Sequence, residues 1–351
     1  MYKITNRKIF GKQFLTFLLI VVALIIGITS YVAWQWLFKK TVNINSKEII
    51  LYVKTNQTFD ELLYQLTAQQ IIKHQQGFKQ LAGWFKLQKK LKPGRYIINE
   101  PLTNLELIKI LIGGKQATLN ITFNYAERIE DVAVFFSTRI EADNNELLKL
   151  LKDTVLLNQI GFDTANIISL FIPNTYNFYW NTSAQELISR MLKEYNRFWN
   201  DERKSKADSI NFSPQQVVTI ASIVQKETNK TDEMSKIAGV YINRLEKGIP
   251  LQADPTIIFM LNDKTIKRVK SKHYTIPSPY NTYLNKGLPP GPICTPSPQV
   301  IDAVLNYTPH NYYYFCAKDD FSGYHAFAKN LDEHLINARK YQKALNKLGI
   351  M

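Results

Sequence analysis

Cysteine is scarce in this sequence, with only Cys294 and Cys316 among 351 residues. Two cysteines cannot form the framework of disulfides that stabilises small secreted domains, although one bridge between them stays open. The five histidines lack the spacing of metal ligands, and no G-x-S-x-G motif marks a serine hydrolase. We therefore expect no metal and no other cofactor, and any chemistry should come from other side chains.

Acidic residues are absent before Glu48, where seven lysines and arginines lie. These seven residues account for +7 of the formal charge of +15, which leaves +8 for the rest of the chain. A diffuse positive charge suits an anionic partner such as a cell-wall polymer or lipid headgroups. No basic run is interleaved with aromatic residues, as binding of single-stranded nucleic acid would require, so we expect no nucleic-acid partner.

The longest apolar run covers residues 14–38 and contains no charged side chain. About 20 helical residues cross a bilayer core of about 30 Å, and Tyr31, Trp34 and Trp36 lie where an interfacial aromatic belt forms. No small-x-small cleavage site follows, which favours a retained anchor over a signal peptide. Four cations precede the run and two follow it directly, so we predict a cytoplasmic tail at 1–13 and export of the rest across the inner membrane.

The region 46–123 reads as a small domain of alternating strands and helices. Its predicted elements are a strand at 48–53, a helix opened by Thr58 with Glu61 in a capping box, a helix at 76–91, a strand after Pro93-Gly94, a helix capped by Thr103 or Asn104, and a strand at 117–123. The β-α-α-β block resembles the LysM-like sugar-binding fold. A structural spacer is the alternative, since a fold does not fix a function.

Longer helical stretches separated by polar loops begin after Phe123. We predict a larger mixed α+β domain over 124–351, so the whole chain is of the α+β class behind one transmembrane helix. The aromatic segment 171–180 is expected to be a loop ahead of a helix capped by Thr182 or Ser183.

One predicted helix of this domain carries an unusual carboxylate, Glu227. Ser213, Pro214 and Gln216 form its N-terminal signature, and its apolar stripe is Val217, Ile220, Ala221 and Val224. Glu227 continues that stripe, so its side chain should point toward the core, where desolvation raises the pKa and keeps a proton for donation. The alternative is a glutamate at the helix end that reaches solvent or pairs with Lys226 or Arg244.

The segments after this helix should shape a cleft. A second amphipathic helix, with Ile237, Val240, Tyr241 and Leu245 on one side, is stopped by Gly248 and Pro250, and the loop 251–256 (LQADPT) follows. The segment 280–297 is so rich in proline and glycine that it can be neither a helix nor a central strand. Stiff loops of this kind usually border binding sites.

Four segments together resemble a known family: IASIVQKET (220–228), INRLEKGIPLQADPT (242–256), YNTY with GLPPGPI (280–293) and GYHAFAKNLDEH (323–334). In this order they are similar to the endolytic murein transglycosylases, the YceG-like proteins of bacteria, and the similarity covers nearly the whole chain. It implies cleavage of the β-1,4 bond between N-acetylmuramic acid and N-acetylglucosamine, without water, to leave 1,6-anhydro ends. The family's catalytic glutamate falls on Glu227, and work beside peptidoglycan synthases is implied.

The matching loops also offer substrate-binding candidates, which are Asn243, Gln252, Asp254, Tyr280, Asn281, Thr282 and His325. Other roles stay open for three of them: Asn243 could tie its helix to the core, Asp254 could cap backbone N–H groups ahead of Pro255, and a lone histidine is often structural. The chain has Asn174 and Gln225 where relatives often have acids, so neither position can supply a charge that tunes Glu227.

Two alternatives to a lytic transglycosylase remain. A glycoside hydrolase would need a second carboxylate besides Glu227, and Asp254 is the candidate. A non-catalytic wall-binding scaffold would need neither.

Overall fold

The computed structural model describes residues 3–42, 48–73, 75–263, 265–266 and 269–349, with only the backbone described for residues 3–12. The predicted start of the small domain, residue 46, lies outside the described residues. Within them the architecture is mixed α+β with an apolar N-terminal helix, as predicted. The chain forms two compact units, one of residues 1–119 and 178–181 and the other of residues 120–177 and 182–351.

The first unit contains α1 (Lys3–Phe38), β1 (Ile49–Val53), α2 (Phe59–Ala68), α3 (Gln75–Trp84), α4 (Leu87–Lys90), β2 (Gly94–Ile98), α5 (Asn104–Gly113) and the start of β3 (Thr118–Phe123). The part of α1 that is long and apolar enough to cross a membrane is Gln13–Phe38, and its side chains are not buried in the protein. This helix agrees with a single-pass anchor, while its orientation stays a prediction.

Helix caps in the first unit follow the sequence rules. Thr58 and Glu61 form the predicted capping box of α2, and Thr103 forms another with Glu106 at α5. Strands β1 and β2 pair antiparallel with Leu51 opposite Tyr96, and both residues are buried. The predicted single helix at 76–91 is wrong, because the backbone turns left-handed at Lys86 (φ 56°) and separates α3 from α4.

The second unit contains the rest of β3 and the following elements: α6 (Ile129–Ser137), α7 (Asn144–Leu151), α8 (Thr154–Gln159), β4 (Asn174–Tyr179), α9 (Ala184–Phe198), α10 (Asp201–Ser209), α11 (Pro214–Glu227), α12 (Thr231–Glu246), α13 (Asp254–Leu261), α14 (Pro298–Leu305), β5 (Tyr314–Ala317), β6 (His325–Ala328) and α15 (Leu331–Lys347). Single 3₁₀ turns lie at Ile167–Leu170 and Ser271–His273.

The aromatic segment of the second unit is a strand and not the predicted loop. Tyr176 and Phe178 are buried while their neighbours are exposed, which is the period-two pattern of β4. Its partner is β3, and the hydroxyls of Thr122 and Thr175 lie 2.9 Å apart across the pair. The pairing with β3, which lies about 55 residues earlier in the sequence, decides the strand and cannot be inferred from the segment alone.

The Pro/Gly-rich segment 280–297 contains neither a helix nor a strand, as predicted. It is fixed to its surroundings by backbone contacts, because Ile293 N–H donates to Ser222 Oγ (3.0 Å) and Thr295 N–H donates to the Ala126 carbonyl (2.8 Å). At Gly291 the approach is so close that an added Cβ would lie 2.0 Å from the Ala165 carbonyl oxygen. Cys294 in this segment and Cys316 are both free thiols, so the bridge left open by the sequence is not formed.

Candidate active site

Helix α11 places Glu227 as its last residue. Ser213 caps the helix, Pro214 is its first residue and Gln216 completes the capping box, as predicted. Val217, Ile220 and Val224 are buried along one side of the helix. The carboxylate therefore extends from the end of a helix whose position is fixed by the core.

The Glu227 carboxyl group is enclosed by protein atoms, although the residue keeps some accessible surface. Tyr241 Oη on α12 donates a hydrogen bond to Glu227 Oε1 at 2.6 Å. The pKa of Glu227 is raised to about 7. Desolvation is the largest cause, the hydrogen bond from Tyr241 acts in the opposite direction, and the Asp254 charge contributes a smaller increase. The group is thus about half protonated at neutral pH.

Glu227 does not form either of the ion pairs considered from the sequence. Lys226 pairs instead with Glu127 at 2.6 Å. The Arg244 guanidinium donates to the Pro250 carbonyl (2.9 Å), the Tyr313 carbonyl (2.8 Å) and Gln252 Oε1 (2.5 Å). The alternative of a glutamate neutralised by a neighbouring cation is therefore wrong.

A cavity of about 420 Å³ contains this carboxyl group. Residues of α11, α12, α13 and β5 and of the segments around them form its wall, and most are polar or aromatic: Glu227, Val240, Tyr241, Arg244, Leu251, Gln252, Asp254, Tyr283, Tyr313, Tyr314, Phe315, Cys316, Ala317, His325 and His334. The volume lies in the range of about 300–1,000 Å³ that is usual for ligand sites. Of the predicted candidates, the cavity brings together Glu227, Gln252, Asp254 and His325.

Asp254 is the second carboxylate of the cavity and opens α13. In place of the predicted bonds to backbone N–H groups, it accepts a hydrogen bond from Tyr283 Oη at 2.6 Å. The cavity thus holds two tyrosine–carboxylate pairs. Because the Asp254 charge raises the pKa of Glu227, the two carboxylates influence each other electrostatically.

His325 lies at the start of β6 with a carboxylate behind it. Its Nδ1 is 2.9 Å from Glu233 Oε2, and its backbone N–H donates to Glu233 Oε1 at 3.0 Å. Glu233 is buried, and the imidazole meets the Phe315 ring edge-on. The contact fixes the orientation of the ring in the cavity wall.

The other four candidates do not line this cavity, and the contacts found for them are with the protein itself, so their part in substrate binding stays a prediction. Asn243 Nδ2 donates to the carbonyls of His310 (2.7 Å) and Tyr312 (3.0 Å). The fully buried Asn281 donates to the carbonyls of Tyr274 and Ile276. These asparagines hold loops in place, and Asn281 has no surface on which to contact a sugar.

Thr282 and Tyr280 also support the walls of the region. Thr282 is buried, and its Oγ1 accepts from the Ala253 N–H at 3.0 Å. Tyr280 packs on Phe259 with ring centroids 4.8 Å apart. Neither residue lines the cavity that contains Glu227.

The sequence interpretation missed Tyr241 and Tyr283 as the hydrogen-bond partners of the two carboxylates in the cavity. Tyr241 was assigned to the apolar stripe of α12, and only the fold shows that its hydroxyl reaches Glu227. A tyrosine in a buried stripe is itself a signal, since a buried hydroxyl needs a hydrogen-bond partner.

The chain is similar to known proteins in both sequence and fold. The model of the YceG-like family matches residues 51–340. The chain belongs to the YceG-like family. A relative in this comparison, the endolytic murein transglycosylase of Bacillus subtilis (strain 168), is 27% identical over 325 residues, which is 88% of this chain and 87% of the relative.

The endolytic murein transglycosylase of Streptococcus pneumoniae serotype 2 (strain D39) is 26% identical over 371 residues, and the match covers 96% of this chain but 66% of the relative. The crystal structure of a YceG-like protein from Listeria monocytogenes superposes with a TM-score of 0.55 at 23% identity, covering 83% of this chain and 98% of the other. This likeness shows the YceG-like fold.

Proposed function

We propose that this YceG-like protein is a membrane-anchored lytic transglycosylase that cleaves peptidoglycan glycan strands, with Glu227 as general acid and base. The observation that carries the proposal is the Glu227 carboxyl group, which has a pKa of about 7, accepts a hydrogen bond from Tyr241 and lines a cavity of about 420 Å³. Curated relatives named endolytic murein transglycosylase support the substrate.

The chemistry needs a single proton-carrying group. Protonated Glu227 donates its proton to O4 of N-acetylglucosamine as the bond from C1 of N-acetylmuramic acid breaks. The resulting carboxylate then accepts the proton of the muramic acid 6-hydroxyl as that oxygen bonds to C1, which closes the 1,6-anhydro ring. A pKa near 7 suits both steps, because the donor and acceptor forms are both populated at neutral pH.

The second candidate function is hydrolysis with Asp254 as the partner carboxylate. Asp254 lines the same cavity as Glu227 and acts on its pKa, which is the observation that favours this reading. In a hydrolase Asp254 would activate a water or attack C1, whereas in a lyase its charge would stabilise the oxocarbenium-like transition state. The products distinguish the two reactions.

The surroundings of the enzyme are part of the proposal. Helix α1 anchors the chain in the inner membrane with a cytoplasmic N-terminus, and the catalytic unit acts outside on new strands near the membrane surface. The β-α-α-β block is a LysM-like domain that binds glycan or acts as a spacer. Peptidoglycan synthases are expected neighbours.

Digestion of uncrosslinked glycan strands followed by mass spectrometry tests the proposal. The wild type should release 1,6-anhydro-muramic ends, and Glu227→Gln should lower the cleavage rate by about 10²–10⁴-fold, the usual contribution of general acid–base catalysis. The control is Glu246→Gln, because Glu246 is likewise the last residue of its helix but is exposed. It should leave the rate unchanged.

Each other outcome of this experiment excludes one alternative. Reducing ends in place of anhydro ends identify the hydrolase. No cleavage by the wild type favours the scaffold, and undiminished cleavage by Glu227→Gln refutes the catalytic role of this residue.

A further inference from the structure

A second cavity of about 540 Å³ lies within the same compact unit. Lys226 and Pro255 line it, and they are the sequence neighbours of Glu227 and Asp254, which line the active-site cavity. The two cavities are thus lined by consecutive residues at the end of α11 and the start of α13, although no residue lines both. A ligand in the second cavity can belong to the same polymer strand as a ligand at Glu227.

The wall of the second cavity combines exposed apolar surface with charge. Tyr125 and Ile258 are 44% and 43% exposed, although both are large hydrophobic residues. Glu127 accepts hydrogen bonds from Tyr125 Oη (2.7 Å) and Lys226 Nζ (2.6 Å), so these charges already have partners. The surface suits a ligand that has both small apolar groups and charges.

Arg128 is the cation of this cavity that no carboxylate neutralises among the described residues, whereas Asp131 and Asp263 are lining carboxylates that likewise form no ion pair there. Its guanidinium lies 4.2 Å from the centroid of the Phe259 ring, and Nη2 donates to the Phe259 carbonyl at 2.5 Å. The stacking holds the planar guanidinium in one orientation while other N–H groups remain for a ligand. A guanidinium fixed in this way is suited to a carboxylate.

We propose that the second cavity binds the peptide stem of the peptidoglycan strand, with Arg128 pairing with a carboxylate of that peptide. This inference rests on the proposed function, which puts the strand at Glu227. The stem is attached to muramic acid, the sugar whose bond is cleaved, so it lies within reach of an adjoining cavity. Its alanine methyl groups match the apolar wall and its carboxylates match Arg128. The sugars of a strand that carries peptides offer no charge for a guanidinium, because the lactyl carboxyl group of muramic acid is bonded to the peptide as an amide.

Cleavage of matched strands by the full chain in detergent tests the proposal. We expect the wild type to have a kcat/KM about tenfold higher for uncrosslinked strands with peptides than for the same strands stripped by an amidase and then amidated at the lactyl carboxyl groups this exposes, as a charge-assisted hydrogen bond provides. Arg128→Gln should bring this ratio close to one and leave cleavage of stripped strands unchanged. A wild-type ratio of one, or an equal loss on both substrates, would overturn the proposal.

The matched control is Arg139→Gln. Arg139 also stacks on a phenylalanine, 3.8 Å from the Phe135 centroid, and donates to the carbonyl of that residue, but it is exposed and does not line the cavity. This variant should keep the wild-type ratio. A loss of preference in Arg139→Gln equal to that in Arg128→Gln would also overturn the proposal.

Peptide binding separates this inference from the catalytic proposal and does not depend on the folding of Arg128→Gln. Calorimetry with the full-length Glu227→Gln variant uses a synthetic pentapeptide, Ala-D-Glu-Lys-D-Ala-D-Ala, and its form with both carboxyl groups amidated. The Kd of the amidated peptide should be at least tenfold higher. Equal affinities, or no binding of the unmodified peptide, would refute the stem site even if the strands are cleaved at Glu227.

Discussion

The first unit buries only neutral polar side chains among its described residues, namely Thr41, Thr103 and Asn104, whereas the second unit buries Glu233 and Arg244 and encloses the carboxyl group of Glu227. Burial of an ionisable group opposes folding unless the group is paired or changes its protonation state. The core of the first unit therefore holds no buried charge among its described residues. The second unit tolerates unfavourable burial around the cavity that contains Glu227.

Truncation in the core of the first unit should give the largest change in stability. Leu62 on α2 is fully buried, and Leu62→Ala should lower the free energy of unfolding by about 2–5 kcal/mol through lost transfer energy and a new cavity. The loss should be equal at pH 5 and pH 8 in urea unfolding of this unit. The control Tyr64→Ala, on the same helix but 76% exposed, should change stability little. A loss of stability that differs between these pH values would contradict the difference in buried charge between the two units.

The second unit should respond to pH through Glu227. Its pKa rises from 4.5 to about 7 on folding, so between these pH values the native chain binds more protons than the unfolded chain, and stability falls as pH rises. Glu227→Gln removes this penalty and should raise the free energy of unfolding by up to about 3 kcal/mol above pH 7 and very little at pH 4. Urea unfolding with Glu246→Gln as control measures the difference. An identical gain at both pH values would contradict the enclosed carboxylate.

Loss of the Tyr241 hydroxyl should have a smaller effect, on catalysis. Tyr241→Phe removes the hydrogen bond that lowers the pKa of Glu227, so this pKa should rise above about 7 and the basic limb of the pH–kcat/KM profile should move upward. The loss of orientation should lower kcat by about tenfold. Tyr195→Phe is the control, because Tyr195 is buried and its hydroxyl bonds no group in the described part of the chain. An unshifted limb would show that Tyr241 is only structural.

The smallest shift of the pH profile is expected for Asp254→Asn. Removal of this charge should lower the pKa of Glu227 only slightly, because the Asp254 charge is the smallest of the three causes of its shift. The basic limb of the pH–rate profile should then move downward, with anhydro products retained. A loss of activity of about 10² or more with a hydrolytic product in the wild type would instead make Asp254 a reacting group.

Local rules predicted much of the secondary structure. The capping boxes at Thr58 and Ser213 could be predicted because a capping box depends on two residues three positions apart. The inward orientation of Glu227 could be predicted because an apolar stripe on a helix shows which residues face the core. The break between α3 and α4 at Lys86 and the strand β4 could not be predicted, since each depends on contacts outside its own segment.

The partners of Glu227 could not be predicted for the same reason. Tyr241 and Asp254 reach this carboxylate from α12 and α13, and only the packing of helices brings them together. The sequence interpretation placed polar groups such as Asn281 at the substrate because they lie in family loops. The structure shows that fixing a loop of this composition itself requires buried amides.

Gly291 shows how little freedom that loop retains. Any side chain at this position would begin inside the van der Waals radius of the Ala165 carbonyl oxygen, and a backbone atom cannot rotate out of the way. No single substitution is therefore neutral there, and a variant would first need a compensating shift of the neighbouring segment. In a library of all substitutions at this position, none of the nineteen other residues should be tolerated, although Gly291 carries no reactive group.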